Sequence, residues 1–184
     1  MKDEDLIWKE IDKKEVYKTR VFTVTERTSI SPNGAKKGVY IVNDASDWGI
    51  VIPEYQDCFL MVKQWRHGER SLSIEFPGGV IEKDEKPEDG AKRELLEETG
   101  AVAGKMIHLG SLNPNPALFS NHVHIYLAKD LTFTGKQDLD EDEFVNCIKM
   151  KKEEVFKMIG TQEFQHALMG TAAGLYLIHE KNSK

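Results

Sequence analysis

Short apolar runs separated by turn residues predict a chain built mainly from β-strands, with helices in the middle and near the C-terminal end. β-Branched and aromatic residues recur over residues 15–42, and Ser-Pro-Asn-Gly at 31–34 predicts a turn within that stretch. Further strands are predicted at 48–53, 58–65, 71–76, 106–113, 122–128 and 144–150, and helices at 152–159 and 162–180. Strands mixed with two or three helices indicate an α+β fold of the αβα sandwich type.

Composition narrows the class of protein. The 184 residues, 40% of them hydrophobic, suffice for one domain with a real core and a small appendage. The net charge of −6 comes from 25 basic and 31 acidic residues, and no basic patch indicates nucleic-acid binding. The charged N-terminus predicts no secretory signal, and no apolar run approaches a membrane span. We interpret Cys58 and Cys147 as buried free thiols and expect a cytoplasmic protein.

The most informative stretch is residues 79–101, which read GVIEKDEKPEDGAKRELLEETGA. Pro87 suits the first turn of a helix because it has no amide hydrogen to satisfy there, and Gly100 suits a left-handed helix end. We therefore predict a helix at 87–99. On that helix Glu94, Glu97 and Glu98 are spaced at i, i+3 and i+4, so the three carboxylates share one face.

Three carboxylates on one helix face repel one another unless cations neutralise them. Oxygen ligands without His or Cys nearby suit Mg²⁺ or Mn²⁺ better than Zn²⁺. The other interpretation is an acidic helix face that is simply solvated. Arg93 is adjacent to Glu94 in sequence, so we expect it to point away from that carboxylate.

Residues 79–101 resemble the Nudix box, the signature of hydrolases that cleave nucleoside diphosphates linked to another group. Gly79 is followed after five residues by Glu85, and after seven more by Arg93 and Glu94; Leu-Leu-Glu-Glu-Thr-Gly-Ala completes the pattern. The resemblance implies a Nudix fold with a mixed β-sheet. It also implies metal ligation by Glu94, Glu97 and Glu98, and a Glu85–Arg93 salt bridge that orients the loop and the helix.

Features outside the box resemble the ADP-ribose pyrophosphatase branch of the family. Pro116 lies fifteen residues past Ala101, as a Pro does in that branch. The branch carries a small N-terminal antiparallel sheet that pairs subunits. The resemblance therefore implies a β subdomain at 1–43, a hydrolase domain at 44–184 and a homodimer.

The same resemblance assigns roles to residues on both sides of the box. Arg66 would bind a phosphate, because a guanidinium fork matches two oxygens. Glu75 would contact the base or a neighbouring subunit, and the Gly78 peptide oxygen would complete a metal shell. In the acidic run at 138–143, Glu141 takes the position of the general base and Glu143 that of an extra metal ligand. If the alignment shifts, Glu143 becomes the candidate base, and Pro116 belongs to the substrate-binding loop.

The sequence therefore predicts a Mg²⁺-dependent hydrolase of nucleoside diphosphate sugars, with ADP-ribose favoured, that acts without nucleic acid or membrane partners. GDP-mannose or another sugar nucleotide is the nearest alternative. The alternative from another class is a Nudix-type domain that senses a nucleotide sugar without cleaving it. Such domains typically lack box carboxylates, and all of them are present here.

Overall fold

The computed structural model describes residues 2–139, 141 and 143–183. The chain divides into two compact units. The smaller comprises the residues up to Ser46 together with Asn113–His122, and the larger comprises Asp47–Leu112 and the residues from Val123 onwards. The boundary at 43/44 stays a prediction, and the inclusion of Asn113–His122 in the smaller unit was not anticipated from the sequence.

The smaller unit contains a three-stranded antiparallel sheet in the order β1-β2-β3. Its strands are β1 (Lys9–Lys18), β2 (Phe22–Ile30) and β3 (Lys37–Ala45), and a short 3-10 helix at Asp3–Leu6 precedes them. The predicted turn is present, since the Gly34 amide donates to the Ser31 carbonyl at 2.8 Å. β1 begins six residues before the predicted start. Its sequence is largely charged, so the pattern of apolar residues does not reveal it, and it is held as a strand by pairing with β2.

A polar cluster around Asp44 ties the smaller unit together. The Asp44 carboxylate accepts hydrogen bonds from Thr25 Oγ1 at 3.1 Å and from Ser120 Oγ at 2.6 Å. It also forms ion pairs with Lys13 and Arg27. Burial opposes ionisation of Asp44, but these partners outweigh it and hold its pKa well below the ordinary value.

The larger unit contains a seven-stranded mixed sheet in the order β10-β5-β4-β9-β8, with β6 paired to β5 and β7 paired to β4. β4 and β9 run parallel, and the other pairs are antiparallel. The strands are β4 (Trp48–Tyr55), β5 (Cys58–Arg66), β6 (Ser71–Glu75), β7 (Gly78–Val80), β8 (Ala101–Leu112), β9 (Val123–Phe133) and β10 (Asn146–Lys151). The helices are α1 (Pro87–Thr99), α2 (Lys152–Met158) and α3 (Ala167–Asn182).

Side-chain alternation along β9 shows how the layers of the larger unit form. Ile125 and its alternate neighbours Val123 and Leu127 join the core cluster that includes α2 and α3. Tyr126 and Ala128 face the opposite way and join the cluster that includes α1. Helices therefore cover both faces of the mixed sheet, and the predicted αβα sandwich is confirmed.

The differences from the predicted elements have local causes. The short strand β7 was not predicted, because three residues rich in glycine carry no periodic signal. α3 begins at Ala167 rather than at 162, since Phe164 turns into the core and the His166 side chain caps the helix by accepting from the Leu168 amide. No helix in the described part of the chain is long and apolar enough to cross a bilayer.

Candidate active site

Helix α1 presents one apolar face to the sheet and one acidic face beside it. The helix spans the predicted residues, and it ends where Gly100 adopts a left-handed conformation and its amide donates to the Leu96 carbonyl at 2.8 Å. Ala91 and Leu95 are fully buried against the sheet. The packing of this face fixes the rotation of the helix and thereby the direction of the carboxylates.

Glu98 is a carboxylate held in a buried position. Its side chain accepts a hydrogen bond from the Gly78 amide at 2.8 Å, and only 4% of the residue is exposed. Burial raises the pKa of Glu98 to about 8, and the nearby charges of Glu94 and Glu143 add to the rise. The Gly78 hydrogen bond and the charge of Arg66 oppose it only in part.

Glu94 lies directly against the backbone of Gly79. A Cβ atom at Gly79 would approach the Glu94 carboxylate to 2.5 Å, so the absence of a side chain there makes room for Glu94. Burial raises the pKa of Glu94 despite its hydrogen bond from Arg93, and Glu97 and Glu143 raise it further. Two neighbouring carboxyls therefore resist ionisation in the protein alone, as expected of groups that a bound cation would stabilise.

Arg93 connects the acidic face to the preceding loop. Its guanidinium donates to Glu85 at 3.1 Å and to the Val80 carbonyl at 3.0 Å, so the predicted Glu85–Arg93 ion pair is present. The expectation that Arg93 points away from Glu94 is wrong. Because the side chain is long, one terminal nitrogen reaches both Glu94 and Glu97 at 2.9 Å.

The donor set fits a hard divalent cation, although the ligands are not gathered into a finished site. Among residues 2–139, 141 and 143–183, no three His, Cys, Asp or Glu side chains form a group that could hold a metal ion as they stand. Arg93 occupies oxygens of Glu94 and Glu97. The carboxyl groups of Glu94 and Glu98 both have raised pKa values. Their oxygens are still the kind of ligand that Mg²⁺ or Mn²⁺ prefers.

A cleft of about 430 Å³ opens beside these carboxylates. Its lining combines predicted site residues with residues that the sequence did not single out. It is formed by Gln64, Arg66, Gly78, Gly79, Val80, Glu82, Arg93, Glu94, Glu98 and Glu143. Glu82 carried no signal of its own, because only the fold of the loop brings it here.

Arg66 is fixed by a two-pronged ion pair with Glu75. Its Nε donates to one carboxylate oxygen at 2.8 Å and its Nη2 to the other at 2.6 Å. Glu75 is fully buried. Burial alone would raise the pKa of Glu75, but the hydrogen bonds and charge of Arg66 outweigh it and lower that pKa. The structure thus places Glu75 beneath Arg66, which lines the cleft.

Five predicted site residues are not part of the cleft lining, namely Glu75, Glu85, Glu97, Glu141 and Pro116. Glu141 is an exposed turn residue, whereas Glu143 lines the cleft. Pro116 belongs to the smaller unit and lies in an exposed turn, where the Leu118 amide donates to the Asn115 carbonyl at 3.0 Å. Asp140 and Asp142 of the acidic run lie outside the described residues.

Comparisons with known proteins place this geometry in a family. The family model described as NUDIX domain matches residues 45–168, which include the box helix and the cleft. The chain belongs to the Nudix hydrolase family. An ADP-ribose pyrophosphatase of Bacillus subtilis (strain 168) is 31% identical over 160 residues, which cover 86% of each chain. A methanol dehydrogenase activator of Bacillus methanolicus is 31% identical over 152 residues, 82% of each chain.

A solved structure described as an ADP compounds hydrolase superposes with a TM-score of 0.84. The match covers 96% of this chain and 95% of the other, at 24% sequence identity, and it therefore shows the Nudix fold. Nudix hydrolases act on nucleoside diphosphate substrates and generally use divalent metal ions. Both properties suit an acidic cleft that is also lined by Arg66 and Arg93.

Proposed function

We propose that this Nudix hydrolase cleaves the pyrophosphate bond of nucleoside diphosphate sugars, with ADP-ribose as the favoured substrate. The products would be a nucleoside monophosphate and a sugar phosphate. The observation that carries the proposal is the burial of Glu98 beside Glu94 in a cleft that Arg66 also lines. A cleft lined by several carboxyl groups and a guanidinium suits a substrate that carries phosphates and arrives with cations.

We assign the divalent cations, Mg²⁺ first and Mn²⁺ second, to Glu94, Glu97 and Glu98. The Gly78 carbonyl and Glu143 are the further candidate ligands, since both residues line the cleft. A cation bound there supplies Lewis-acid activation of water and neutralises phosphate charge. Loading requires Arg93 to release Glu94 and Glu97, and its bonds to Glu85 and Val80 give it a second set of partners to retain.

Arg66 would position the diphosphate. Its Nε and Nη2 are committed to Glu75, so its second terminal nitrogen is the donor directed to substrate. Because the ion pair already fixes the guanidinium plane, the side chain loses less conformational entropy when a phosphate binds there. In this proposal Glu75 acts through Arg66, and not by contact with the base or with a neighbouring subunit.

The general base would take a proton from the attacking water. Glu141 holds the position implied by the family pattern, and Glu143 is the alternative. The location of Glu143 on the cleft favours it in the present conformation, whereas Glu141 would need to turn inward. Comparison of Glu141→Gln and Glu143→Gln separates the two assignments, since loss of the base lowers kcat by about 100-fold or more.

A second candidate function is hydrolysis of another sugar nucleotide, such as GDP-mannose. The names of the relatives differ, and one of them describes activation of another enzyme rather than a substrate. The non-catalytic sensing domain remains the alternative from another class. It predicts metal-dependent binding of nucleotide sugars without release of any monophosphate.

We also propose that the protein is a homodimer. All ten residues of β1 are exposed. The β3 neighbours Val39, Tyr40 and Ile41 are exposed too, at 59%, 46% and 48%, so apolar side chains emerge on both faces of the small sheet. A second copy is the occupant implied by the family pattern. Light scattering after size exclusion should give about twice the 20.9 kDa chain mass, and Ile41→Glu should lower it.

The test of function is a substrate panel with product identification. ADP-ribose and GDP-mannose are incubated separately with protein and Mg²⁺, with EDTA as the control, and the nucleotide products are separated by chromatography. Rapid EDTA-sensitive release of AMP supports the proposal. Faster release of GMP moves the substrate to another sugar nucleotide, and binding without any release supports the sensing domain.

A cytoplasmic location remains part of the proposal. Both cysteines are free thiols, which agrees with a reducing compartment.

A further inference from the structure

The C-terminal end of α1 is capped by residues 134–138, here called the strap. The last carbonyls of an α-helix lack partners within the helix and must find them elsewhere. The Asp138 amide donates to the Glu97 carbonyl at 2.9 Å, and the Thr134 amide donates to the Gly100 carbonyl at 2.9 Å. The strap therefore caps the end of the helix that carries the acidic face.

The close approach of the strap to the helix depends on Gly100. A Cβ atom there would come within 2.6 Å of the Lys136 carbonyl oxygen, and Gly100 also has a positive φ of 67°. The Thr134 hydroxyl adds a bond to the Gly100 carbonyl at 3.1 Å. The segment is therefore docked by backbone contacts on both sides of Gln137.

Among the side-chain hydrogen bonds found in the described residues, those of Gln137 connect the strap both to the end of α1 and to the chain that follows Glu143. Its amide nitrogen donates to the Glu98 carbonyl at 2.5 Å and to the Val145 carbonyl at 3.3 Å. A carboxamide NH₂ group has two hydrogens, so it can serve both acceptors at once. Val145 lies two residues after Glu143, and Glu98 and Glu143 both line the cleft.

We propose that Gln137 is a positioning residue that sets where Glu143 stands relative to Glu98. The proposal rests on the proposed function, in which these carboxylates serve one reaction. The two carboxylates repel each other, so a connection between their backbones is needed to keep them on the same cleft. A neutral donor suits the task, because a third carboxylate would face two carbonyl oxygens and would add to the repulsion.

The variants Gln137→Met and Gln137→Glu test the donor directly. Methionine keeps the length without polar atoms, and glutamate keeps the shape while it removes both hydrogens. We expect kcat on ADP-ribose to fall about 3- to 10-fold in Gln137→Met, with KM nearly unchanged, and further in Gln137→Glu. Gln137→Lys restores donors and should recover part of the loss. Lys136→Ala is the matched control, since the strap uses only the Lys136 backbone in these contacts.

A double-mutant cycle with Glu143→Gln separates positioning from general loss of structure. If Gln137 acts by placing Glu143, then Gln137→Met should cost much less in the Glu143→Gln background than in the wild type. Equal fold-losses in both backgrounds would overturn the proposal. Thermal midpoints measured alongside identify any variant that is simply unfolding.

Amide hydrogen exchange on the metal-free protein gives a readout that needs no activity. Gln137→Met should speed exchange at Asp138 and across residues 143–145, while Lys136→Ala should leave exchange there unchanged. Unchanged exchange in Gln137→Met would overturn the anchoring role. If the wild type cleaves no nucleotide sugar, the proposed function fails, and the exchange result still decides whether Gln137 anchors residues 143–145.

Discussion

Replacing Glu98 by Gln should stabilise the metal-free protein above pH 5 and abolish hydrolysis. Only 4% of Glu98 is exposed, and its carboxyl group accepts one backbone hydrogen bond, from Gly78. The amide oxygen of Gln can accept the same bond, and its shape is the same. The substitution therefore removes a charge while it keeps the packing, and it removes a candidate metal ligand.

The size of the effect follows from the pKa of Glu98, which is raised from 4.5 to about 8. The stability linked to this proton is full below pH 4.5, where the folded and the unfolded chains are both protonated. It is lost progressively as the pH rises from 4.5 to about 8, because the unfolded chain then releases a proton that the folded protein holds. The loss amounts to about 1 kcal/mol at pH 5 and about 3 kcal/mol at pH 7. Gln carries no charge at either pH, so the variant escapes this loss.

The assay is urea unfolding in EDTA at pH 5 and pH 7, which gives the free energy of unfolding of both proteins. The variant should gain over the wild type by about 2 kcal/mol between the two pH values. Glu88→Gln, an exposed residue of the same helix paired with Lys92, is the control and should change stability by at most about 0.5 kcal/mol. If the stability that Glu98→Gln gains over the wild type does not grow with pH, the pKa of Glu98 is not raised in the folded protein.

Three further predictions concern the same site. Arg66→Ala should destabilise the protein by about 3 kcal/mol in urea unfolding, because Glu75 stays buried without its partner. Arg66→Lys should raise KM with a smaller loss of stability. Equal stability of Arg66→Ala and wild type would contradict this prediction. Gly78→Ala should unfold the β4–β7 pairing, since its Cβ would lie 2.1 Å from the Gly49 carbonyl oxygen, and a thermal midpoint within a few degrees of wild type would count against the fold described here. Removal of metal with EDTA should stop hydrolysis, and Mg²⁺ should then restore it and raise the thermal midpoint of the wild type more than that of Glu98→Gln; activity that survives EDTA would argue against metal dependence.

The box helix was predictable because local rules and a fixed motif agree on it. Pro87 and Gly100 mark its ends, and the spacing of Glu94, Glu97 and Glu98 fixes a shared face whatever the rest of the fold does. The direction of Arg93 was mispredicted for the opposite reason. Its long side chain can reach carboxylates on a neighbouring face, and sequence adjacency says nothing about that reach.

Gln137, which tertiary packing places against the end of α1, could not be found from the sequence. Gln137 lies in a loop without periodicity, and its partners Glu98 and Val145 are set by how that loop meets the end of α1. The early start of β1 was also hidden, because its ten residues are all exposed and are held by pairing rather than by burial. The patterns that predict strands depend on burial and are silent where there is none.

The most direct test compares wild type and Glu98→Gln on ADP-ribose with Mg²⁺, with quantification of AMP and ribose 5-phosphate. We expect the wild type to release the two products in equal amounts. We expect Glu98→Gln to be folded and at least as stable as the wild type at pH 7, but to hydrolyse ADP-ribose about 100-fold or more slowly. A well-folded Glu98→Gln protein with full activity would contradict the central claim that the buried carboxylates of α1 form the catalytic metal site.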